Sequence, residues 1–399
     1  RHRSVSRGLG DVYKRQYAHR CRYLKGIKNM KAIILTCNTG QGHNSVSRAI
    51  EEAFAIHSEE CSSVDSLSFI SNRASSVISN WHTRLYRYLP KVFDFGYNIA
   101  ENKPELFEDG SPIRKFLVSG ADRLYDYIVG GGYDCVICPH VFSGLMMTQL
   151  RATHTDLDVK TCFIATDYTF TPITSEMRLD AYFVPSDDLI PAYEAVGIPK
   201  EKVYTITGIP VRRDFYSNYS KPEAKHMIGI DEGSKHVMMM FGSMGCGPMR
   251  RLTSELSKVL SPTDVLTVIC GTNQMLRKLL DYQYRSTPNI RIAGFVSNIP
   301  VIMDSADLYI TKPGGLSVSE ARIKHLPMLL FNAVAGCEQT NLEFMVKKGA
   351  AVAANDESEL AALCKELLGD DERLSAMARA FDDKNIAADE IYDILKKIS

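Results

Sequence analysis

The chain has 399 residues, of which 45% are hydrophobic and 24% are charged, with 47 basic and 47 acidic side chains. This length is sufficient for two domains of ordinary size. No apolar run reaches the roughly 20 residues that a membrane-spanning helix needs. The ten cysteines have no repeated spacing, which argues against a disulfide framework and favours a cytosolic protein with reduced cysteines.

The first 29 residues are basic and irregular, and residues 11–16 resemble the translation of an adapter used in sequencing libraries. We expect residues 1–29 to be a non-native leader, with a genuine basic tail or targeting peptide as the alternative. Without its nine basic and one acidic residue, the chain holds 38 basic and 46 acidic residues, a formal net charge of −8. This balance predicts no bulk attraction for nucleic acid, so we expect no nucleic-acid partner.

From Met30 onward, segments typical of strands alternate with segments typical of helices. Residues 31–37 are a continuous apolar run, as in a strand covered on both faces. Behind the following turn, residues 46–54 place apolar side chains at i, i+3, i+4, i+7 and i+8, the pattern of an amphipathic helix. Further strands are predicted at residues 135–138, 161–165, 181–184, 203–207, 236–241, 265–270, 290–293, 308–311, 328–331 and 350–353.

This alternation predicts an α/β fold with parallel sheets and right-handed crossovers. Turn residues between Gly208 and Pro222 separate the strands into two series. We therefore expect two doubly wound, Rossmann-like domains that face each other across a cleft, at residues 30–212 and 213–375. Residues 376–399 are predicted to be a C-terminal helix that packs back across the joint. The pair Cys135 and Cys138 lies on a predicted strand, so the two thiols should face opposite ways and suit neither a metal nor a disulfide.

Residues 307–321 are the most informative segment. A predicted buried strand ends in Lys312-Pro-Gly-Gly315, and a helix begins near Leu316. The N–H groups and positive dipole end of such a helix suit phosphate, and glycines let a ligand approach the backbone closely. Glu320 lies one turn further, where it could accept hydrogen bonds from two ribose hydroxyls. The segment predicts a nucleotide-diphosphate site, with an ordinary turn and an exposed Glu as the alternative.

Three other loops carry candidate chemistry. The turn at residues 38–43 follows the first strand and ends in His43, where the helix dipole favours the neutral imidazole that a general base needs; the alternative is a structural helix cap. The turn at residues 241–247 can wrap a phosphate with N–H groups. The loop at residues 336–341 offers carboxylate and amide groups suited to sugar hydroxyls.

These motifs occur together, in the order found in a known family. They are Thr-Gly-Gln-Gly-His43, Thr-Asp-Tyr168, Gly-Ile-Pro-Val211, Gly-Ser-Met-Gly245, Cys-Gly-Thr-Asn273, Gly-Phe-Val296, Lys-Pro-Gly-Gly-Leu-Ser-Val-Ser-Glu320 and Glu-Gln-Thr-Asn341. Over residues 30–397 the chain resembles the processive diacylglycerol glucosyltransferases and monogalactosyldiacylglycerol synthases. These enzymes are related to the peptidoglycan lipid-intermediate N-acetylglucosaminyltransferase and share its GT-B fold.

The resemblance implies inverting transfer of a hexose from a UDP-sugar to a membrane lipid, diacylglycerol, giving a β-glycolipid without a metal or another cofactor. The first domain would bind the acceptor and the second the UDP-hexose. His43 would accept the proton of the lipid hydroxyl. The residues implied at the donor are Gly42, Gly242, Ser243, Met244, Gly245, Asn273, Phe295, Val296, Gly314, Gly315, Leu316, Ser317, Glu320, Glu338, Gln339 and Asn341. Within this set, Phe295 and Val296 would hold uracil, Glu320 the ribose, and the last three the hexose.

The loop with Asp167 and Tyr168 would lie on the acceptor side. It lacks the His and Trp that family members often carry there, which leaves the acceptor's identity open. The sequence also leaves open which UDP-sugar is used and the oligomeric state. Asp156 and Asp158 spell a D-x-D, which we interpret as a loop, with a metal site as the alternative.

Residues 73–103 mix aromatic and basic side chains, with a local formal charge of +3. We expect Trp81, Arg84, Arg87 and Lys91 to contact an anionic membrane surface. The protein would then be cytoplasmic and peripheral, on the inner face of the plasma membrane. The alternative is a helical insertion that buries its aromatic side chains.

Two other function classes share the nucleotide loops. A GT-B-fold UDP-sugar epimerase would need no acceptor surface, and a non-catalytic UDP-sugar sensor would need no base. The aromatic and basic segment argues against the first, and His43 argues against both.

Overall fold

The computed structural model describes residues 29–37, 41–71, 104–331, 333, 336–383 and 385–398. In these residues the strands are β1 Ala32–Thr36, β2 Cys61–Asp65, β3 Cys135–Cys138, β4 Lys160–Ile164, β5 Ala181–Val184, β6 Val203–Thr205, β7 His236–Met240, β8 Val265–Ile269, β9 Ile290–Ala293, β10 Leu308–Thr311, β11 Met328–Leu330 and β12 Ala351–Ala353. They form two six-stranded sheets with parallel pairing throughout. The N-terminal sheet has the order β2-β1-β3-β4-β5-β6 and the C-terminal sheet the order β12-β11-β10-β7-β8-β9.

Helices connect the strands. They are α1 Gln41–Ile56, α2 Pro112–Val118, α3 Ala121–Gly131, α4 Val141–Thr153, α5 Ile190–Ala195, α6 Lys221–Met227, α7 Met249–Val259, α8 Gln274–Tyr284, α9 Ile299–Ser305, α10 Gly315–Ile323, α11 Cys337–Lys347, α12 Glu357–Leu368, α13 Asp371–Ala378 and α14 Ala387–Ile398. Short 3₁₀ turns lie at Ser66–Phe69, Pro104–Leu106, Pro172–Glu176, Asp187–Leu189, Lys200–Lys202 and Arg213–Tyr216.

The α/β prediction is confirmed, and each strand predicted from an apolar run is present within a residue or two of its expected bounds. One further strand, β2, was not predicted from the sequence. It is an edge strand with the sequence Cys-Ser-Ser-Val-Asp, and its serines face solvent. Because it buries little apolar surface, it lacks the pattern of the other strands.

The central strands are covered on both faces. Along β3, Cys135 and Ile137 join one apolar core, whereas Val136 and Cys138 join another on the opposite face of the sheet. The two cysteines therefore point in opposite directions, as predicted.

The chain order changes direction at one point in each sheet. In the N-terminal sheet, β1 lies between β2 and β3; in the C-terminal sheet, β7 lies between β10 and β8. The crevice at such a switch point, beyond the carboxyl ends of the strands, is where open α/β sheets bind ligands. We therefore expect a ligand site at the turns after β1, β3, β7 and β10.

Helix α14 packs on α1, the first helix of the N-terminal half. Tyr392 stacks on His57 with ring centroids 3.9 Å apart and meets Phe54 edge-on at 5.1 Å. Glu390 accepts hydrogen bonds from the backbone N–H and the hydroxyl of Thr207, at 2.6 and 3.0 Å. The last described helix thus contacts the first half of the chain, while the exact domain boundaries stay predictions.

The turns after β7 and β8 fit closely, which gives a test of the fold. Gly271 has a φ of 54°, and a Cβ at this position would lie 2.1 Å from the carbonyl oxygen of Ser243. We expect Gly271→Ala to lower the free energy of unfolding by roughly 2 kcal/mol or more, because backbone strain and a clash add. Gly197→Ala is the matched control, since Gly197 also has a positive φ but no neighbour within 4 Å. It should cost only about 1 kcal/mol. If urea titrations gave both variants the same loss in the free energy of unfolding, this close fit would be contradicted.

Candidate active site

His43 lies in the first turn of α1, directly behind the carboxyl end of β1. Its Nδ1 is 2.9 Å from the carbonyl oxygen of Pro139, in the turn after β3. A carbonyl oxygen can only accept, so Nδ1 carries the proton of this hydrogen bond. The neutral ring then has its lone pair on Nε2, the nitrogen able to accept a proton. The switch point of the N-terminal sheet thus holds a histidine in the tautomer of a general base.

A second histidine, His140, lies beside it. The two imidazole rings are nearly perpendicular, with centroids 4.6 Å apart. Nδ1 of His140 caps helix α4 by accepting a hydrogen bond from the N–H of Phe142 at 3.1 Å. His140 was not predicted from the sequence as a site residue. Its position directly after a predicted strand, one residue beyond Pro139, was the signal that could have found it.

Two glycine turns lie side by side at the switch point of the C-terminal sheet. Gly242 follows β7 with a φ of 64°, and Gly314 follows β10 and caps α10. Lys312 lies between the turns. A Cβ added to Gly242 would lie 3.5 Å from Cε of Lys312, and a Cβ added to Gly314 would lie 3.8 Å from its Nζ. Its ammonium group pairs with the buried carboxylate of Glu338. Lys312 belongs to the Lys-Pro-Gly-Gly motif, but no role was predicted for it.

The N-terminus of α10 contacts the N-terminal half of the chain. The N–H of Gly315 donates to the carboxylate of Asp167, and a Cβ on Gly315 would lie 2.1 Å from the carbonyl oxygen of Thr166. Burial raises the pKa of Asp167 to about 6, even though a 2.8 Å hydrogen bond from Asn341 lowers it. Asp167 therefore holds one of the N–H groups that were predicted to face a diphosphate.

Asn341 completes this joint. It is fully buried, and its Nδ2 donates to Asp167 and, at 3.0 Å, to the carbonyl oxygen of Pro313. Its Oδ1 accepts from the N–H of Tyr168 at 2.7 Å. The buried Tyr168 ring stacks on Phe344 at 4.4 Å. Asp167, Tyr168 and Asn341 thus join the two halves, and their roles toward acceptor and hexose stay predictions.

Glu320 is half-buried on α10. Burial raises the pKa of its carboxyl to about 8, although the nearby Arg212 lowers the pKa and Asp214 raises it further. Among the residues that the structure describes, none donates a hydrogen bond to this carboxylate. A desolvated carboxyl without a donor is suited to accept hydrogen bonds from a ligand.

The helix starts of the two halves face each other. A Cβ on Gly42, at the start of α1, would lie 3.7 Å from Cδ2 of Leu316, at the start of α10. His43 and the predicted donor helix are therefore on opposite walls of one cleft. Ser317 is buried on the same helix.

Other predicted donor residues are more dispersed. Asn273 caps α8 by accepting from the N–H of Leu276, and its Nδ2 holds the carbonyl oxygen of Gly245 at 3.0 Å. It thereby fixes the turn that contains Ser243 and Met244. Phe295 is 71% exposed behind β9, next to the partly buried Val296. Gln339 is exposed and donates to Glu343.

Asp156 lies in the loop before β4 and accepts the Tyr125 hydroxyl at 2.6 Å. In the described ranges, no group of three or more His, Cys, Asp or Glu side chains could hold a metal ion. No helix in those ranges is long and apolar enough to cross a membrane. Trp81, Arg84, Arg87 and Lys91 lie outside the described residues.

Known protein families match both halves of this arrangement. Residues 43–211 match the family described as Monogalactosyldiacylglycerol (MGDG) synthase, and residues 252–382 match Glycosyl transferases group 1. The chain belongs to the glycosyltransferases. His43 lies in the part of the chain that matches the MGDG synthase model, and Lys312 and Glu320 lie in the part that matches the group 1 model.

Individual proteins agree with this assignment. The processive diacylglycerol beta-glucosyltransferase of Bacillus cereus (strain G9842) is 29% identical over 359 residues, which cover 89% of each chain. Acinetobacter baumannii MurG is 13% identical, with a TM-score of 0.59 over 93% of this chain and 100% of its own. Anabaena Alr3699/HepE in complex with UDP is also 13% identical, with a TM-score of 0.56 over 92% of this chain and 100% of its own. These structures confirm the predicted GT-B fold of the glycosyltransferase.

The raised pKa of Glu320 predicts opposite effects of one substitution. Between its ordinary pKa of 4.5 and its folded pKa of about 8, the folded state holds a proton that the unfolded state releases. Wild-type stability should therefore fall as pH rises through this window. Glu320→Gln removes this cost, and we expect it to raise the free energy of unfolding near pH 7 by on the order of 1 kcal/mol, with no gain near pH 4. Melts over that pH range would test this.

Above pH 8, where the Glu320 carboxyl is ionised, the same variant should bind UDP at least about tenfold more weakly than wild type, because a charged acceptor contributes roughly 1.5–3 kcal/mol per hydrogen bond. Calorimetry with UDP measures this loss. Unchanged affinity would show that Glu320 does not contact the donor, whatever its effect on stability.

Proposed function

We propose that this glycosyltransferase moves a hexose from a UDP-sugar to the hydroxyl group of a diacylglycerol, with inversion at the anomeric carbon and without a metal ion. The observation that carries the proposal is the His43 to Pro139 hydrogen bond, on the cleft wall opposite the paired glycine turns. The name of the Bacillus cereus relative supports the acceptor class and a β-linked product. The UDP bound to the Anabaena protein supports the donor class.

In this reaction Nε2 of His43 accepts the proton of the lipid hydroxyl. The hydroxyl oxygen then forms a bond to the anomeric carbon from the face opposite UDP. The bond from that carbon to the β-phosphate oxygen breaks, and its electron pair leaves with UDP. A positioned base of this kind contributes about 10²–10⁴ in rate. The Pro139 carbonyl helps by holding the ring orientation and tautomer.

Negative charge develops on the departing UDP. The N–H groups at the start of α10 and in the turn after Gly242 supply partial positive charge for it. Lys312, between the two turns, adds an ammonium group whose charge is partly offset by its pairing with Glu338. These groups would perform the task that a divalent cation performs in other glycosyltransferases.

A diacylglycerol acceptor requires contact with a membrane, and we propose that the protein is peripheral, on the inner face of the plasma membrane. The aromatic and basic segment that contains Trp81, Arg84, Arg87 and Lys91 is one candidate contact. Replacing Arg84, Arg87 and Lys91 by Glu should weaken binding to anionic vesicles, and more so at low salt.

A donor screen tests the reaction itself. The protein is incubated with radiolabelled UDP-glucose, UDP-galactose or UDP-N-acetylglucosamine and diacylglycerol in detergent, with and without EDTA, and the lipids are separated by thin-layer chromatography. We expect one donor to give a labelled glycolipid, undiminished by EDTA. An epimerase would instead convert the UDP-sugar without acceptor, and a sensor would bind UDP without turnover.

His43→Ala tests the catalytic base. We expect turnover to fall by about 10²–10⁴ while the affinity for UDP stays within a few-fold of wild type. His154→Ala is the matched control, because His154 is also an N-terminal-half histidine but ends α4 and pairs with Asp122 away from the cleft. It should keep wild-type turnover. A loss of UDP affinity as large as the loss of rate would make His43 a donor or structural residue.

A further inference from the structure

Helix α8, between β8 and β9, has two apolar faces. Leu280 and Tyr284 are buried in the core of the C-terminal half. On another side of the helix, Met275, Leu279 and Tyr282 follow one another at i, i+4 and i+7 and are 82%, 38% and 71% exposed. Side chains at this spacing form one stripe. The part of the chain that the structure describes leaves this stripe open to solvent.

Basic side chains accompany the stripe. Lys278 and Arg285 lie along the same flank, and neither has an acidic partner among the described residues. The guanidinium of Arg285 lies 4.7 Å from the centroid of the Tyr282 ring. Arg277 is paired with Asp281 at 3.5 Å, so it adds little net charge. Apolar and aromatic side chains beside unpaired cations are the surface that an anionic lipid bilayer attracts.

Helix α8 begins close to the candidate active site. The helix begins at its cap Asn273, whose amide holds the carbonyl oxygen of Gly245 in the glycine turn after β7. The stripe therefore starts beside one of the turns that we assign to the donor. A bilayer against α8 would meet the C-terminal half next to the cleft, where a lipid hydroxyl has to enter.

We propose that the α8 face of Met275, Lys278, Leu279, Tyr282 and Arg285 docks on an anionic membrane surface. The apolar side chains enter the boundary between headgroups and acyl chains, and the two cations contact lipid phosphates. This docking depends on the proposed function in one respect: its role would be to deliver a lipid acceptor to the site. It gives the C-terminal half a membrane contact of its own, separate from residues 73–103.

Two variants test the basic and the apolar side chains of this surface separately. Lys278→Glu with Arg285→Glu should weaken binding to mixed phosphatidylglycerol and phosphatidylcholine vesicles at least about tenfold at low salt, and less at high salt where charges are screened. Replacement of Met275, Leu279 and Tyr282 by Ser should weaken binding at least about tenfold at both salt concentrations, because apolar burial is not screened. Co-sedimentation with vesicles measures both effects.

The matched control is Lys347→Glu with Lys365→Glu. Both lysines are exposed in the C-terminal half, on α11 and α12, and the pair changes the net charge by the same amount. It should bind vesicles like wild type. Circular dichroism and thermal melts establish that each variant is folded; if the triple Ser variant unfolds, the charge pair decides alone.

Wild-type vesicle binding by both α8 variants would overturn the proposal. So would an equal loss in the control, which would indicate only bulk charge. A change of mass in sedimentation velocity with unchanged vesicle binding would make the face a protein interface instead. Transfer to detergent-dissolved diacylglycerol separates the two proposals: it should persist in both α8 variants. Its absence in wild type would reject the proposed function and leave the vesicle result standing.

Discussion

The side-chain amide of Asn341 joins the two halves of this glycosyltransferase. It is fully buried, and it bonds Asp167 and the Tyr168 N–H on one side and the Pro313 carbonyl on the other. Each buried polar group left without a partner would cost about 1–3 kcal/mol. The observed arrangement satisfies all of these groups together. That joint places the start of α1 opposite the start of α10. It therefore places His43 opposite the donor turns.

The joint also shapes the electrostatics of the cleft. Lys312 lies next to Glu338, and Asp167 and Glu320 are close by on or beside α10. Ionised carboxylates at all three positions would repel a nucleotide diphosphate. Burial raises the pKa of Asp167 to about 6 and that of Glu320 to about 8. Glu320 is therefore largely protonated near neutral pH, which reduces the negative charge that an incoming donor meets.

Much of the fold could be predicted because local patterns specify it. The apolar run at β1, the helical spacing in α1 and the glycine turns after β7 and β10 are all readable within short windows. Strand β2 was missed because its outward serines leave no apolar run. The edge of a sheet needs little burial, so hydrophobicity does not mark it.

The site was harder to predict because its partners are distant in sequence. Asn341 bonds residues more than 170 positions away, and a polar residue in a loop has the same local sequence whether it faces a ligand or another domain. The pairing of His43 with the Pro139 turn depends on β1 and β3 being neighbours in the sheet. Lys312 was passed over because only the folded sheet brings its turn beside Gly242.

The packing of α14 on α1 has a consequence for synthesis on the ribosome. The Phe54 and His57 side of α1 is covered by Tyr392, in a helix that begins about 330 residues later. At roughly 5–20 residues per second, that surface stays uncovered for about 15–70 s while the rest of the chain is made. The nascent N-terminal half thus exposes an apolar patch throughout translation of the C-terminal half.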